Sequence, residues 1–162
     1  FDRTVTWEDV RWIKQRWGGK LVVKGIMDAG DAEEAIKAGA DAIVVSNHGG
    51  RQLDGAPSSI SALPGIAGTV AGRAEVLFDG GIRSGQDILR ALALGADNVM
   101  IGRAYLYGLG AEGEAGVMRC LDIMSRELEA TMALCGLTGT RQAGLGTLVN
   151  PDFIGPHGGN QR

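Results

Sequence analysis

Four short runs along the chain are apolar without alternation: LVVK at 21–24, AIVVS at 42–46, EVLFD at 75–79 and NVMIG at 98–102. Unbroken Val, Ile and Leu over so short a span marks strands covered on both faces, as in parallel sheets. Between the runs the period changes. DAEEAIKAGA, SSISALPGIAGTVAG and SGQDILRALALGA place apolar residues at helical spacing, with Gly39 and Gly95 as stops. Ahead of the first run, TWEDVRWIKQRWGG predicts another amphipathic helix, capped by Thr6 and ended by Gly18 and Gly19. A last helix is predicted over 114–134, and NPDFIGPHGGNQR at the end reads as a loose tail. Strands alternating with helices predict an α/β fold with a parallel sheet, either part of a (β/α)8 TIM barrel or an open sheet. A whole barrel takes at least about 200 residues, so four strand–helix units make half of one. The expected division is a half-barrel over 1–136 and a C-terminal extension over 137–162.

Each run ends in polar residues or glycine: Lys24-Gly25, Ser46-Asn47-His48-Gly49-Gly50-Arg51, Asp79-Gly80-Gly81 and Gly102-Arg103. Parallel strands end on one face, where α/β enzymes gather their sites. His48 carries an imidazole suited to proton abstraction near neutrality, and Arg51 can grip a carboxylate through two parallel hydrogen bonds. Together they point to an anionic substrate that loses a proton; the plainer alternatives are a structural histidine and an Arg51–Asp54 pair. Lys24 ends an apolar strand and needs an anionic partner if buried, so it is expected to face the site. DGGIRSG at 79–85 follows a strand and opens a helix. Paired glycines, the fork of Arg83 and free N–H groups at that helix start suit a phosphate, with Ser84 and Asp87 resembling a capping box. Gly102-Arg103 repeats the theme on the next strand, although an ordinary tight turn explains either segment by itself.

Composition narrows the partners. The chain has 162 residues, 27 of them Gly, with 44% hydrophobic and 22% charged positions and a net charge of −3. That is globular, and it lacks the basic field that attracts nucleic acid. No apolar stretch is long enough to span a bilayer, and the start shows no secretory signal, so a cytoplasmic location is expected. Cys120 and Cys135 match no metal spacing and read as small core hydrophobes, and with only two histidines no metal site is assigned. His157 lies in the tail and is given no role. Trp7, Trp12 and Trp17 make no single helix stripe and read as packing or rim residues.

LVVKGI, then GADAIVVSNHGGRQLDG, then LFDGGIRSGQDILRALALGADNVMIGRAYLYGL resemble the C-terminal half of the FMN-dependent L-2-hydroxyacid dehydrogenases and oxidases. That family includes lactate dehydrogenase of the respiratory type, glycolate oxidase and mandelate dehydrogenase. The resemblance covers about residues 5–137, and SNHGGRQLD with DGGIR is its most specific part. It implies that the four strands are numbers five to eight of the barrel, that the cofactor is FMN, and that the reaction turns an L-2-hydroxy acid into the 2-oxo acid. It further implies that His48 is the base, Arg51 binds the substrate carboxylate, and Lys24 and Ser46 contact the flavin ring. Asp79, Gly81 and Arg83, with Gly102 and Arg103, match ribityl and phosphate contacts. Where several family sites have a second basic residue after the first Arg, this chain has Ser84. The remaining contacts, including the carboxylate that orients the base, belong to the family's first four strands, so an N-terminal half is the expected partner. Phe1 falls where the family has a mobile loop after strand four, so a longer polypeptide is expected. The resemblance also implies a homotetramer, and attachment at the inner membrane for a respiratory dehydrogenase. Another FMN barrel enzyme such as an isomerase, or a non-catalytic FMN-binding module, is the alternative. The acid's side chain and the electron acceptor are not encoded in these motifs.

Overall fold

The computed structural model describes residues 4–149. Helix α1 (Trp7–Trp17) leads into β1 (Val22–Ile26), α2 (Ala29–Lys37), β2 (Ala42–Val45), a 3-10 turn at His48–Gly50, α3 (Ser59–Val70), β3 (Glu75–Asp79), α4 (Gly85–Ala93), β4 (Asn98–Met100) and α5 (Arg103–Leu134). Two further 3-10 turns, Thr140–Gln142 and Leu145–Thr147, pack back against α4. The described part of the expected extension is therefore docked, while 150–162, with His157, lies outside the described residues.

All three strand pairings are parallel, and the order across the sheet is β1-β2-β3-β4. Open doubly wound sheets reverse direction at a switch point; a sheet that advances one strand at a time, each crossing made by a helix, is a barrel segment. Ile43, Val45, Val76 and Phe78, facing the same way in register, join Leu63 and Ile66 of α3, Ala35 of α2 and Ala91 of α4 in one buried cluster. The opposite face, with Val22, Lys24, Val44, Leu77 and Met100, carries none of that cluster.

Local chemistry explains the element ends. The Thr6 N–H donates to the Asp9 carboxylate at 2.7 Å, and Gly18, at φ +69°, closes α1 by donating to the Lys14 carbonyl at 3.0 Å. A GAD tripeptide precedes both β2 and β4. In each the aspartate accepts a backbone N–H from the preceding strand region: Leu21 to Asp41 at 2.8 Å and Val76 to Asp97 at 2.7 Å. Asp41 also pairs with Lys14 of α1 and with Lys20, which holds its carboxyl far below the usual range, chiefly through Lys14 and then Leu21.

The last helix departs from expectation. It begins at Arg103 rather than Glu114, in two helical segments that meet at Glu112 and Gly113, where φ/ψ of 61°/−137° at Gly113 suits only glycine. Gly108 and Gly116 face each other across that break so closely that a Cβ on either would overlap the other's backbone. Glycine here serves close packing of helix on helix, a use that low helix propensity hides in the sequence. Cys120 packs against the core as expected, whereas Cys135 caps the exposed end of α5 and is no core residue.

Candidate active site

The C-terminal ends of β1, β2 and β3 meet in one polar knot. Lys24 extends its ammonium to the Asp79 carboxylate at 3.0 Å and to the Ser46 hydroxyl at 3.1 Å, and Ser46 donates to Asp79 at 2.5 Å. Burial is the largest single influence on Asp79 and pushes its carboxyl up. The hydrogen bonds from Ser46 and Lys24 and the charges of Lys24 and His48 together outweigh it, leaving the group below its ordinary value. This supplies the anionic partner that Lys24 requires.

Beside the knot, β1 bulges. Lys24 pairs with Val44 and Ile26 with Val45, so Gly25 is an extra residue, at φ +102°. The bulge brings the backbone against His48: a Cβ at Gly25 would stand 2.8 Å from the imidazole Nε2. His48 itself is left-handed at φ 56°, followed by Gly49 at 70° and Gly50 at 73°. Only the glycines adopt that conformation freely, so His48 stores about 1 kcal/mol or more of strain. Hydrogen bonds hold the turn: the His48 N–H donates to Ser46 at 3.1 Å, the Gly49 N–H to the Asn47 side chain at 3.1 Å, the Gly50 N–H to the Asn47 carbonyl at 3.1 Å and the Arg51 N–H to the His48 carbonyl at 3.4 Å. Asp54 accepts from the Gly55 N–H at 3.1 Å rather than pairing with Arg51.

The phosphate side differs from expectation in one respect. The start of α4 is closed: Ser84 accepts the Asp87 N–H at 3.2 Å, and the Gly85 N–H donates to Glu127 of α5 at 2.9 Å. Asp87 reaches back to the N–H of Arg83 at 3.1 Å, one residue before the expected capping-box partner. The start of α5, at Gly102 beside the cleft, has no side-chain cap. From its first turn Arg103 reaches across to the Gly49 carbonyl at 3.3 Å, tying the loops after β4 and β2 together.

These loops surround a cleft of about 460 Å³. Eight of the nine residues singled out in the sequence line it: Lys24, His48, Arg51, Asp79, Gly81, Arg83, Gly102 and Arg103. Ser46, the ninth, is fully buried below. Four cationic side chains against one carboxylate make the cleft strongly positive in a chain whose net charge is −3, so it selects anions. Gln52, Ile82, Met100 and Leu106 also line it and had drawn no notice in the sequence. Met100 had a weak signal, since it falls two residues after Asn98 on the strand face away from the helices.

Parallel strand ends that bring an imidazole, an ammonium and three guanidinium groups to one positive cleft define a barrel-type site suited to anions. The chain belongs to the FMN-dependent dehydrogenase family, whose pattern matches residues 1–150. It is 51% identical over 150 residues to an L-lactate dehydrogenase of Stenotrophomonas maltophilia (strain R551-3), covering 93% of this chain and 40% of that protein. It is 54% identical over 136 residues to an L-lactate dehydrogenase of Pseudomonas putida (strain GB-1), covering 84% of this chain and 36% of the relative. Among solved structures, a mandelate oxidase variant with a monooxide FMN adduct superimposes with a TM-score of 0.83 at 46% identity, over 86% of this chain and 44% of that one. The same enzyme with benzoyl-formic acid gives 0.83, over 86% and 42%. The chain thus spans about 40% of the length of its curated relatives.

Proposed function

We propose that this chain carries the base, the carboxylate grip and the phosphate grip of an enzyme that oxidises an L-2-hydroxy acid to the 2-oxo acid with FMN. The observation that supports it most is the convergence of His48, Arg51, Lys24, Arg83 and Arg103 on one positive cleft. The residues present fit the cofactor: Gly81, at φ +79°, leaves its side open, the start of α5 has no side-chain cap, and the guanidinium forks of Arg83 and Arg103 line the cleft. Gly81, Arg83, Gly102 and Arg103 would hold the phosphate, Asp79 a ribityl hydroxyl, and Lys24 the ring. When bound, FMN supplies the two-electron acceptor.

Arg51 orients the substrate by its carboxylate. The His48 imidazole takes a proton from the hydroxy acid as two electrons leave it, and the negative charge that develops meets a cleft in which Lys24 and Arg103 are already held, by Asp79 and Ser46 and by the Gly49 carbonyl. The neighbouring ammonium of Lys24, held against Asp79, favours negative charge on whatever ring lies beside it. On the same reading, and as the family resemblance implies, the rest of the polypeptide completes the barrel and the enzyme works as a homo-oligomer in the cytoplasm or at the inner membrane. Among the described residues no helix is long and apolar enough to cross a membrane.

The test is the visible spectrum of the complete enzyme during anaerobic addition of L-lactate, glycolate and L-mandelate. Bleaching of a bound flavin by at least one acid, with stoichiometric 2-oxo acid, is expected. A flavin that none of them reduces would leave only a binding role.

A further inference from the structure

The Ser46 hydroxyl touches three groups whose chemistry fixes its hydrogen-bond directions. The Asp79 carboxylate, at 2.5 Å, can only accept, so Ser46 donates to it. The Lys24 ammonium and the His48 N–H, each at 3.1 Å, can only donate, so Ser46 accepts from both. One donor and two lone pairs are the full capacity of a hydroxyl. The side chain is fully buried and does not line the cleft, and all three of its hydrogen bonds go to groups of this chain.

We infer that Ser46 is a positioning residue, acting on substrate oxidation by holding the His48 backbone in its left-handed turn and the Lys24–Asp79 pair beside it. The inference rests on the proposed roles of His48 and Lys24. Without the hydroxyl, the His48 N–H loses its acceptor, and the strain at φ 56° is opposed only by the neighbouring turn. Lys24 and Asp79 lose the atom that bridges the end of β2 to both, although their direct contact remains. The imidazole that takes the proton and the ammonium that faces the cofactor are thus registered to each other through one oxygen. A side chain two residues before the base acts on it through the main chain and on the lysine through its own tip.

The test compares Ser46→Ala, Ser46→Cys and Ser46→Thr in the complete enzyme. The cysteine fills the space but bonds poorly, and the threonine restores a hydroxyl. The expected result is a flavin-reduction rate lower by about tenfold or more in the first two, the scale of one lost hydrogen bond to a charged group, with KM nearly unchanged because Arg51 lies outside the network. Threonine should recover most of the rate. In the flavin-free protein, hydrogen exchange at the His48 amide should be faster in the alanine and cysteine variants alone. Should the alanine variant not fold, the near-isosteric cysteine carries the comparison. Wild-type rates in Ser46→Cys, or a His48 amide equally protected in every variant, would overturn the inference. If the wild type itself oxidised no hydroxy acid, the proposed function would fail while the amide measurement still decided the role of Ser46.

Discussion

A glycine can matter for what it keeps away. At Gly25 the β1 bulge and the His48 imidazole approach until a Cβ would stand 2.8 Å from Nε2. Gly25→Ala must therefore displace the ring, because the alternative is moving a strand paired to β2. The expected loss is about 10²-fold in the rate of flavin reduction, since a misplacement near 1 Å has that effect on a reacting group. FMN content should hold, and stopped-flow reduction with the flavin content of each preparation separates the two. Arg51 offers a complementary case. It lines the cleft, and Arg51→Lys keeps the charge while removing the two-pronged grip proposed for it. A KM for the hydroxy acid raised by about 10- to 100-fold is expected, the range of a lost charged hydrogen bond; an unchanged KM would make Arg51 a structural residue.

Among the elements, the start of α4 is closed and that of α5 is open. Glu127 and Ser84 occupy α4, so the proposed phosphate would fall to Arg83, Arg103 and the first turn of α5. Replacing both arginines by glutamine should weaken FMN binding far more than riboflavin binding, because only FMN carries the dianion they fork toward. Titration of apoenzyme with both ligands reads this directly, and equal loss would move the phosphate elsewhere. At the opposite end of the sheet, Asp41 ties α1 and Lys20 to the entry of β1. Its carboxyl and that of Asp79 are both held below their ordinary values. A depressed folded-state value means that each contributes fully above the unfolded value near ~3.9 and loses that contribution as pH falls through the folded one. Thermal melts between about pH 6 and 3 should show stability falling with acid, and Asp41→Asn should lower the neutral-pH melting temperature while flattening that slope.

What was readable in the sequence follows the range of the interactions concerned. The four strands and the helices between them stand out because Val and Ile runs and 3.6-residue spacing are local signals. His48, Arg51 and the Gly-Arg pairs stand out because polar residues interrupt apolar runs where parallel strands end. The closure of α4 by Glu127, 42 residues away, has no local mark. Nor does the burial of Ser46 under three strand ends, or the bulge at Gly25, since each is decided by neighbours from other strands. The first segment of α5 was hidden for a different reason: Gly108, Gly110 and Gly113 lower helix propensity, and only the Gly108–Gly116 contact shows what they are for.

At the scale of the whole molecule, the sheet has, among the described residues, two edges and one face without helices. β1 and β4 each have a single strand neighbour among the described residues, and on the uncovered face Val22 and Met100 are 48% and 40% exposed. Unpaired strand edges beside exposed apolar side chains invite another strand, and the L-lactate dehydrogenase relatives are long enough to supply several. On the proposed reading the phosphate would be held within this chain, whereas the ring would rest on Lys24 and Asp79 at the open inner face. Residues 1–162 expressed alone are therefore expected to bind FMN weakly through its phosphate and to reduce it with no hydroxy acid. His48 would lack a carboxylate to fix its tautomer and balance its charge. Adding, as a separate chain, the N-terminal half proposed to complete the barrel should restore tight binding and turnover together. The comparison is a flavin fluorescence titration and an anaerobic reduction assay on the fragment, with and without its complement. Tight FMN binding and full activity in the fragment by itself, as a monodisperse species, would show that the open face and edges do not matter to the site.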